Sequence, residues 1–273
     1  MTVTPSGDLD VLLTDAQIAE WRERGFTHVE RLTTDAEIDW LRERFEEVFD
    51  PSNKGLIGGY FDASAPITSD IADVPDLGQS IRPELKWPAL VDTVAHRNAL
   101  RIASQLLDVP VDGLETWTHM IDKPPGHGHE TPWHQDEAFW EEHLGYHACG
   151  VWLALDDVDQ DNGCMEFMPY SHTDGIVTHR HLDDDPMVSA LVIDDIDERR
   201  AVPIPLGAGG ATFHTQRTMH HTGPNRSDRR RRAFAIEVQI PPYQLDKPIK
   251  KPWKTPDVCA DFSSDRDDFS AQT

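Results

Sequence analysis

A His-x-Asp triplet, His134-Gln135-Asp136, has residue types and spacing that suit a metal site. On an extended strand residues i and i+2 point to the same side, so His134 and Asp136 would face one ion while Gln135 points away. Imidazole together with carboxylate suits Fe(II) far better than a structural zinc site. The same spacing recurs at His172 and His181, so the triplet alone is weak evidence and the hypothesis needs a second histidine downstream.

One downstream segment places a histidine close to an arginine. In GGATFHTQRTMHHTGPNRSDRRRRAFAIE, His220 precedes a Thr-Gly-Pro-Asn turn, and Arg231 follows on the next predicted strand. A site with two histidines and one carboxylate on one face of iron leaves three positions open for other ligands. A guanidinium facing the same hollow suits a small dicarboxylate, which it would bind by paired charge-assisted hydrogen bonds. The downstream candidates for the second histidine are His172, His179, His181, His214, His220 and His221.

Two segments with alternating side chains are expected to be the strands that position this chemistry. In HACGVWLALDD, residues 147–157, one face is small except for Trp152 and the other is bulky and apolar. RRAFAIEVQI, residues 231–240, repeats the contrast, with Arg231 on the face of small residues. Strands that pack a bulky face against helices and leave a hollow on the other face suit a barrel that holds a ligand. The bulky positions are Val151, Leu153, Leu155, Phe234, Ile236, Val238 and Ile240.

The net charge is extreme, since the 273-residue chain carries a formal charge of -24. Such an acidic protein repels nucleic acid and anionic membranes. No apolar run is long enough to span a bilayer, and the N-terminus lacks signal-peptide features, so a cytoplasmic location is expected. Three unpatterned cysteines argue against a disulfide framework and a thiolate metal site. The expected partner is a small molecule, and the oligomeric state is left open.

The order of patterns along the chain predicts one domain over residues 1–260. Residues 1–113 are expected to be helices and a loop. From 114 to 240, short apolar runs separated by Gly, Pro, Asn and Asp predict a β core. The acidic residues 261–273 are expected to be disordered.

The N-terminal part is predicted to contain three helices. Capping-box spacing at Thr14–Gln17 and at Thr34–Glu37 begins two amphipathic runs, and a third helix is expected over about Pro88–Leu107. A turn-rich stretch between Pro51 and Pro83 predicts a long functional loop.

Four segments resemble the phytanoyl-CoA dioxygenase family of iron- and 2-oxoglutarate-dependent oxygenases. They are Lys123-Pro124-Pro125, TPWHQDEAFW from Thr131, WLALDDVDQDNGCMEFMPYSH from Trp152, and the stretch from His220 to Arg231. Together they span most of residues 114–240, and the combination is specific because four elements keep the family's order and spacing. The resemblance implies a mainly β protein with flanking helices, folded as a double-stranded β-helix, a jelly-roll or cupin-like barrel with the N-terminal helices packed outside.

The resemblance also implies an iron site, in which His134, Asp136 and His220 bind Fe(II). Many relatives have glycine after the second histidine, whereas this chain has His221, so the assignment could shift by one residue. Spacing to Arg231 favours His220. Related halogenases have a small residue where this chain has Asp136, which favours hydroxylation or desaturation over halogenation.

The same resemblance implies a set of contacts to 2-oxoglutarate. Arg231 would bind its distal carboxylate, and Thr222 matches a family Ser or Thr that supports this carboxylate. Trp152 matches a family Trp beside the cosubstrate, and His119 falls at a position of cosubstrate contact. The implied reaction consumes O2 and 2-oxoglutarate, oxidises a small organic substrate, and releases succinate and CO2.

Two other functions stay open at this point. A catalytically inactive cupin-like binding module would keep the barrel, but retention of all three ligands and the arginine argues against it. An iron dioxygenase that uses no 2-oxoglutarate is a second alternative, and Arg231 on the hollow face argues against that.

The substrate is not determined by the fold or the cofactor. A CoA thioester is disfavoured by the negative charge, although Lys250, Lys251 and Lys254 form a local basic spot. The segments Gly55–Ser80 and Glu137–Gly145 are expected to close the pocket and to set specificity.

Overall fold

The computed structural model describes residues 9–254, and this part of the chain contains three α-helices and fifteen β-strands. The helices are α1 (Asp15–Arg24), α2 (Asp35–Val48) and α3 (Val94–Leu107). The strands are β1 (Phe26–Val29), β2 (Phe61–Asp62), β3 (Gly78–Ile81), β4 (Glu115–Lys123), β5 (Thr131–His134), β6 (Leu144–Gly145), β7 (Ala148–Ala154), β8 (Met165–Phe167), β9 (Arg180–His181), β10 (Leu191–Val192), β11 (Val202–Ile204), β12 (Ala211–Thr215), β13 (His220–Thr222), β14 (Arg231–Gln239) and β15 (Tyr243–Gln244). Within the described part, no helix has the length and apolar character needed to cross a membrane. The predicted acidic tail, residues 261–273, lies outside the described residues.

Two antiparallel sheets face each other across the centre of the molecule. The larger sheet has the strand order β1-β12-β7-β14-β4-β3-β2, and the smaller has the order β11-β8-β13-β5. Trp152 and Ala235 of the larger sheet share a buried cluster with Met165 and Phe167 of the smaller sheet. The rings of Phe26 and Phe167 stack across the gap with centroids 4.6 Å apart. The prediction of a mainly β protein arranged as a double-stranded β-helix is confirmed.

The helices cover the outer face of the larger sheet, as the alternating pattern predicts. The bulky sides of β7 and β14 pack there against the apolar sides of α2 and α3. Burial of one Leu, Ile or Phe side chain contributes about 1.5–3 kcal/mol, so this layer is a major source of stability. Ile240 follows the end of β14 and is half-buried. The cluster includes Leu41, Phe45, Ile102, Val151, Leu153, Leu155, Phe234, Ile236 and Val238.

The N-terminal part is less purely helical than predicted. Strand β1 follows α1 directly and pairs with β12. Gly25 makes the turn between α1 and β1 with φ 92°, and any other residue there would place its Cβ only 2.5 Å from Thr218 Oγ1. The predicted loop between Pro51 and Pro83 contains β2 and β3, which extend the sheet beyond β4. The predicted third helix is divided into a 3-10 helix, Pro88–Asp92, and α3. Strands β1, β2 and β3 have only two to four residues, which is too few for an alternation of inward and outward side chains to be recognised in the sequence.

Glu37 departs from the predicted capping box. Thr34 accepts a hydrogen bond from the Glu37 N–H, but the Glu37 carboxylate is directed to another helix. It is buried and accepts from the N–H groups of Val94 and Ala95, at 2.7 and 2.8 Å, and from the Thr33 hydroxyl. These N–H groups belong to the first turn of α3, where free donors and the helix dipole favour a negative charge. Glu37 therefore joins α2 to α3.

Replacing Glu37 with alanine is expected to lower the free energy of unfolding by about 3 kcal/mol. Two buried N–H donors would lose a charged acceptor, and each such hydrogen bond contributes about 1.5–3 kcal/mol. Urea unfolding of the purified variant measures the change. Glu43→Ala is the matched control, because this glutamate lies on the same helix with 66% of its side chain exposed. Equal losses in the two variants would contradict the capping role.

Candidate active site

His134 and His220 lie directly opposite each other on the neighbouring strands β5 and β13. Their ring centroids are 4.3 Å apart. The Nδ1–H of His134 donates to the Pro132 carbonyl at 2.8 Å, and that of His220 donates to the Thr218 carbonyl at 2.9 Å. Since a carbonyl oxygen only accepts, both rings keep Nε2 unprotonated when neutral. A metal-binding histidine needs this tautomer and orientation.

Asp136 completes a group of three that could hold a metal ion. Its Oδ1 lies 3.6 Å from His134 Nε2 and 3.5 Å from His220 Nε2, and the ligand atoms of all three residues lie within 4.8 Å of one another. Two imidazoles and one carboxylate are a donor set that suits Fe(II), and these three residues would hold it. The strand prediction was wrong in one detail, because β5 ends at His134 and Asp136 begins a 3-10 helix, Asp136–Phe139. Gln135 between them is still extended, with φ -123° and ψ 134°.

Gln135 points away from the group and anchors the triplet. Its side-chain amide donates to the carbonyls of Gly175 and Arg217 at 2.8 and 2.7 Å. Its backbone N–H donates to Nε2 of His179 at 3.1 Å. Burial lowers the pKa of His179 to about 4, which keeps the ring neutral and able to accept this bond. His179, a sequence candidate for a ligand, instead supports the backbone of the triplet.

His214 contacts the second carboxylate oxygen of Asp136, and its ring lies beside that of His220 with centroids 4.4 Å apart. Its Nε2–H donates to Asp136 Oδ2 at 3.0 Å, so Oδ1 remains directed at His134 and His220. The ring lies over Gly150, where a Cβ would stand 2.6 Å from Nε2. Gly150 and His214 are paired in register on β7 and β12. The sequence names His214 only as one of six possible ligands, and its bond to Asp136 was not foreseen.

The protonation states suit metal binding. Burial lowers the pKa of His220 well below its usual value, against the attraction of Asp136. Burial alone would raise the pKa of Asp136, but the neighbouring imidazoles of His220 and His134 and the hydrogen bond from His214 outweigh it and hold that pKa well below its usual range. A carboxylate beside a neutral imidazole is the form that binds a cation.

Arg231 is fully buried on the inner face of β14 and lacks a partner. Its exposed fraction is 0%, and Nε, Nη1 and Nη2 make no hydrogen bond to the described residues. The guanidinium carbon lies 5.6 Å from the centre of the Trp152 ring. Burial lowers the pKa of Arg231 to about 10, so the side chain stays charged at neutral pH. A buried, unpaired cation is costly, and a dicarboxylate fits as its partner. Small residues at Ala233 and Ala235 leave space along the same face.

Thr222 and His119 also lie at this hollow. The buried Lys123, paired in register with Arg231, donates from Nζ to Thr222 Oγ1 at 2.6 Å and to the Thr222 carbonyl at 2.8 Å. Because Thr222 Oγ1 accepts from Lys123, its own hydrogen remains available to a ligand. His119 pairs in register with Ala235, and its enclosed Nε2 has no partner. In the sequence, Lys123 is recognisable only as part of the Lys123-Pro124-Pro125 motif, which predicts no role for its side chain.

The segment Glu137–Gly145 follows the triplet directly and is held by the C-terminal residues. Phe139 packs edge-on to His134, with centroids 5.8 Å apart. Lys251 Nζ is buried and donates to two backbone carbonyls of this segment at 2.5 and 2.6 Å. Lys254 pairs with a glutamate of the same segment at 2.5 Å. Two of the three lysines in the local basic spot, Lys251 and Lys254, are therefore engaged in contacts with this segment.

Comparison with known proteins agrees with this geometry. The profile described as Phytanoyl-CoA dioxygenase (PhyH) matches residues 21–233. The chain is 26% identical over 266 residues to phytanoyl-CoA dioxygenase domain-containing protein 1 of Danio rerio, covering 83% of this chain and 90% of that protein. It is 24% identical over 228 residues to a probable alpha-ketoglutarate-dependent hypophosphite dioxygenase of Stutzerimonas stutzeri, covering 81% and 76% of the two chains.

A solved structure is similar over nearly its whole length. The crystal structure of EvdO2 from Micromonospora carbonacea var. aurantiaca, complexed with 2-oxoglutarate, matches with a TM-score of 0.79 and 31% identity, covering 90% of this chain and 99% of that one. The family predicted from the four sequence segments is confirmed. The chain belongs to the phytanoyl-CoA dioxygenase family, and it is an iron- and 2-oxoglutarate-dependent oxygenase.

Proposed function

We propose that His134, Asp136 and His220 bind Fe(II), that Arg231 binds the distal carboxylate of 2-oxoglutarate, and that the enzyme hydroxylates or desaturates a small organic substrate. The convergence of three ligand atoms within 4.8 Å carries this proposal. Iron bound there, with 2-oxoglutarate and O2, supplies the oxidising power to break a substrate C–H bond, with release of succinate and CO2.

The protein's part is to keep the ligand geometry fixed. The carbonyl oxygens of Pro132 and Thr218 hold the two imidazoles by their Nδ1–H groups. His214 holds the second oxygen of the Asp136 carboxylate. These hydrogen bonds keep the ligand atoms of the three residues within 4.8 Å of one another, where they would hold the metal ion.

The cosubstrate contacts proposed here share the hollow between the sheets. Arg231 offers unpartnered N–H donors to the distal carboxylate, and Thr222 offers its hydroxyl hydrogen. Trp152 stands beside the guanidinium, and the enclosed Nε2 of His119 lacks a partner. A dioxygenase without 2-oxoglutarate would leave the unpaired charge of Arg231 without a partner. The other alternative, an inactive binding module, is tested by succinate formation. A cytoplasmic location and the lack of nucleic-acid partners stay predictions from composition.

Anaerobic titration tests the proposal. Protein mixed with Fe(II) and 2-oxoglutarate should develop a visible metal-to-ligand charge-transfer band, and admission of O2 should then yield succinate. A binding module without catalysis would give no succinate, and a dioxygenase without 2-oxoglutarate would give no band. Either result would refute the proposed cofactor set.

Replacing His214 with phenylalanine is expected to weaken Fe(II) binding by about 10- to 100-fold, because loss of a hydrogen bond to a ligand has effects of this size. The ring would still fill the space over Gly150. His214→Gln keeps an N–H donor, so its Fe(II) affinity should lie between those of His214→Phe and the native protein. Anaerobic competition with an Fe(II) chelator measures the affinity. Native affinity in the phenylalanine variant would exclude a positioning role for His214.

A further inference from the structure

Glu237 is an inward-facing carboxyl that the proposed iron and cosubstrate sites do not use. It lies on the same face of β14 as Arg231, paired in register with Gly150 on β7 and Trp117 on β4. Its Oε2 is enclosed and makes no hydrogen bond to the described residues. Burial raises the pKa of Glu237 well above its usual value, and the charge of Asp136 adds to this. An enclosed polar group without a partner costs stability, so its retention needs another explanation.

The register places Glu237 beside the proposed iron ligands. Across three neighbouring strands the order is His214, Gly150 and Glu237, and Gly150 has no side chain to separate the other two. Strands lie about 4.8 Å apart, so the backbones of His214 and Glu237 are about 10 Å apart. His214 itself touches Asp136 at 3.0 Å. A molecule bound next to the iron ligands is thus within reach of the Glu237 carboxyl.

The wall around Glu237 is aromatic. Trp117, its partner in register, packs edge-on to Trp140 with centroids 5.9 Å apart, and Trp140 packs against Tyr146 at 4.8 Å. Aromatic faces and a carboxyl favour a ligand that carries both apolar surface and a hydrogen-bond donor.

Two cations that contact the segment Glu137–Gly145 have their partners in that segment. Arg217 forms a paired contact with the Glu137 carboxylate, at 2.6 and 3.0 Å, and Lys251 donates to backbone carbonyls. The charge that acts on Glu237 is that of Asp136, so an anionic group next to Glu237 would meet carboxyl oxygens and not a cationic side chain. The formal charge of -24 on the whole chain also repels anions.

We propose that Glu237 binds a hydrogen-bond donor of the substrate, a hydroxyl or an amine, next to the carbon that is oxidised, and thereby selects neutral or cationic substrates against anionic ones. This inference rests on the proposed function, because it places the substrate between Glu237 and the iron ligands. Either donor supplies the partner that Glu237 Oε2 lacks. An ammonium group would also stabilise the ionised carboxyl against the effect of burial, which adds a charge-assisted hydrogen bond. The substrate class then differs from that of the hypophosphite dioxygenase relative, whose named substrate is an anion.

Three probes of one carbon skeleton distinguish the donors: sorbitol is neutral, glucamine is cationic and gluconate is anionic. Their binding is measured by calorimetry on anaerobic protein loaded with Fe(II) and 2-oxoglutarate. We expect sorbitol, glucamine or both to bind at least about tenfold more tightly than gluconate, which corresponds to one charge-assisted hydrogen bond. Failure of both donors to bind, or equal binding of gluconate, overturns the inference.

Two substitutions identify the role of the carboxyl. Glu237→Leu should weaken binding of the preferred probe by at least about tenfold. Glu237→Gln should preserve sorbitol affinity, because the amide still accepts a hydrogen bond. It should weaken glucamine binding by at least about tenfold, because the amide cannot take the negative charge that a bound ammonium group would stabilise on the carboxyl. Unchanged affinity in Glu237→Leu refutes the inference.

The charge-transfer band of the same sample distinguishes failure of the proposed function from failure of this inference. A missing band refutes the proposed function. A normal band, with gluconate bound as tightly as the other two probes, refutes only the inference about Glu237.

Stability without substrate gives an independent readout. Glu237→Leu should raise the Tm by about 2–4 °C, because an enclosed carboxyl oxygen without a partner is removed. The control Glu84→Leu should lower the Tm, since Glu84 accepts from the Thr118 hydroxyl at 2.5 Å and from the Thr118 N–H at 3.2 Å. A Tm drop in Glu237→Leu similar to that of the control would show that Glu237 serves the fold, and would overturn its assignment to substrate.

Discussion

Replacing Asp136 with alanine is expected to abolish succinate formation from 2-oxoglutarate, with kcat/KM reduced at least about a thousandfold. A thousandfold loss equals about 4 kcal/mol of transition-state stabilisation, which is within what a bound metal contributes. Asp136 is the anionic member of the proposed ligand set, and its two oxygens face His134, His220 and His214. His134→Ala and His220→Ala are expected to have the same effect. Succinate release and anaerobic Fe(II) binding should be lost together.

His221→Ala is the matched control, because this histidine adjoins His220 but faces the other side of β13. Its Nε2 lies 3.6 Å from a Glu166 carboxylate oxygen, and its ring stacks on Trp133 with centroids 4.2 Å apart. Iron binding and succinate formation should therefore persist in His221→Ala. Loss of iron in His221→Ala and not in His220→Ala would move the assignment by one residue. Full activity in any of the three ligand variants would refute that ligand.

The fold was largely predictable because two strands contrast strongly between their faces. In β7 and β14 the bulky residues alternate with Gly150, Ala154, Ala233 and Ala235, and this contrast shows both the strand period and the side that carries the helices. Strands β1, β2 and β3 have two to four residues and no such contrast. They form because β12 and β4 have unpaired backbone groups along one side, and the position of these groups is known only once the sheet has folded.

The candidate site was predictable only where residues are close in sequence or belong to a recognisable motif. His134 and Asp136 form a local pattern, and His220 and Arg231 fall in the family's order. The contact of His214 with Asp136 joins residues 78 positions apart. Glu237 approaches His214 only through the register of β14, β7 and β12. Strand register between distant segments is a tertiary property, so these two neighbours could not be found from local pattern.

Replacing Arg231 with methionine is expected to raise the KM for 2-oxoglutarate at least about a hundredfold. Two charge-assisted hydrogen bonds to a carboxylate would be lost, each contributing about 1.5–3 kcal/mol. Arg231→Lys keeps the charge but lacks the planar pair of donors, so its KM for 2-oxoglutarate should lie between those of Arg231→Met and the native protein. Steady-state succinate formation at varied 2-oxoglutarate measures the change.

Arg232→Met is the control, because the neighbouring arginine faces the opposite side of β14. Its guanidinium contacts the carboxylates of Asp156 and Glu46 at 2.7 and 3.0 Å, so its loss should affect stability and leave the KM for 2-oxoglutarate within about threefold of the native value. Thermal unfolding adds a second measurement that needs no turnover. At 100 times its Kd, 2-oxoglutarate should stabilise the native protein and Arg232→Met by about 2.7 kcal/mol, and it should stabilise Arg231→Met much less. Equal stabilisation of all three proteins by 2-oxoglutarate would show that the cosubstrate carboxylate binds elsewhere.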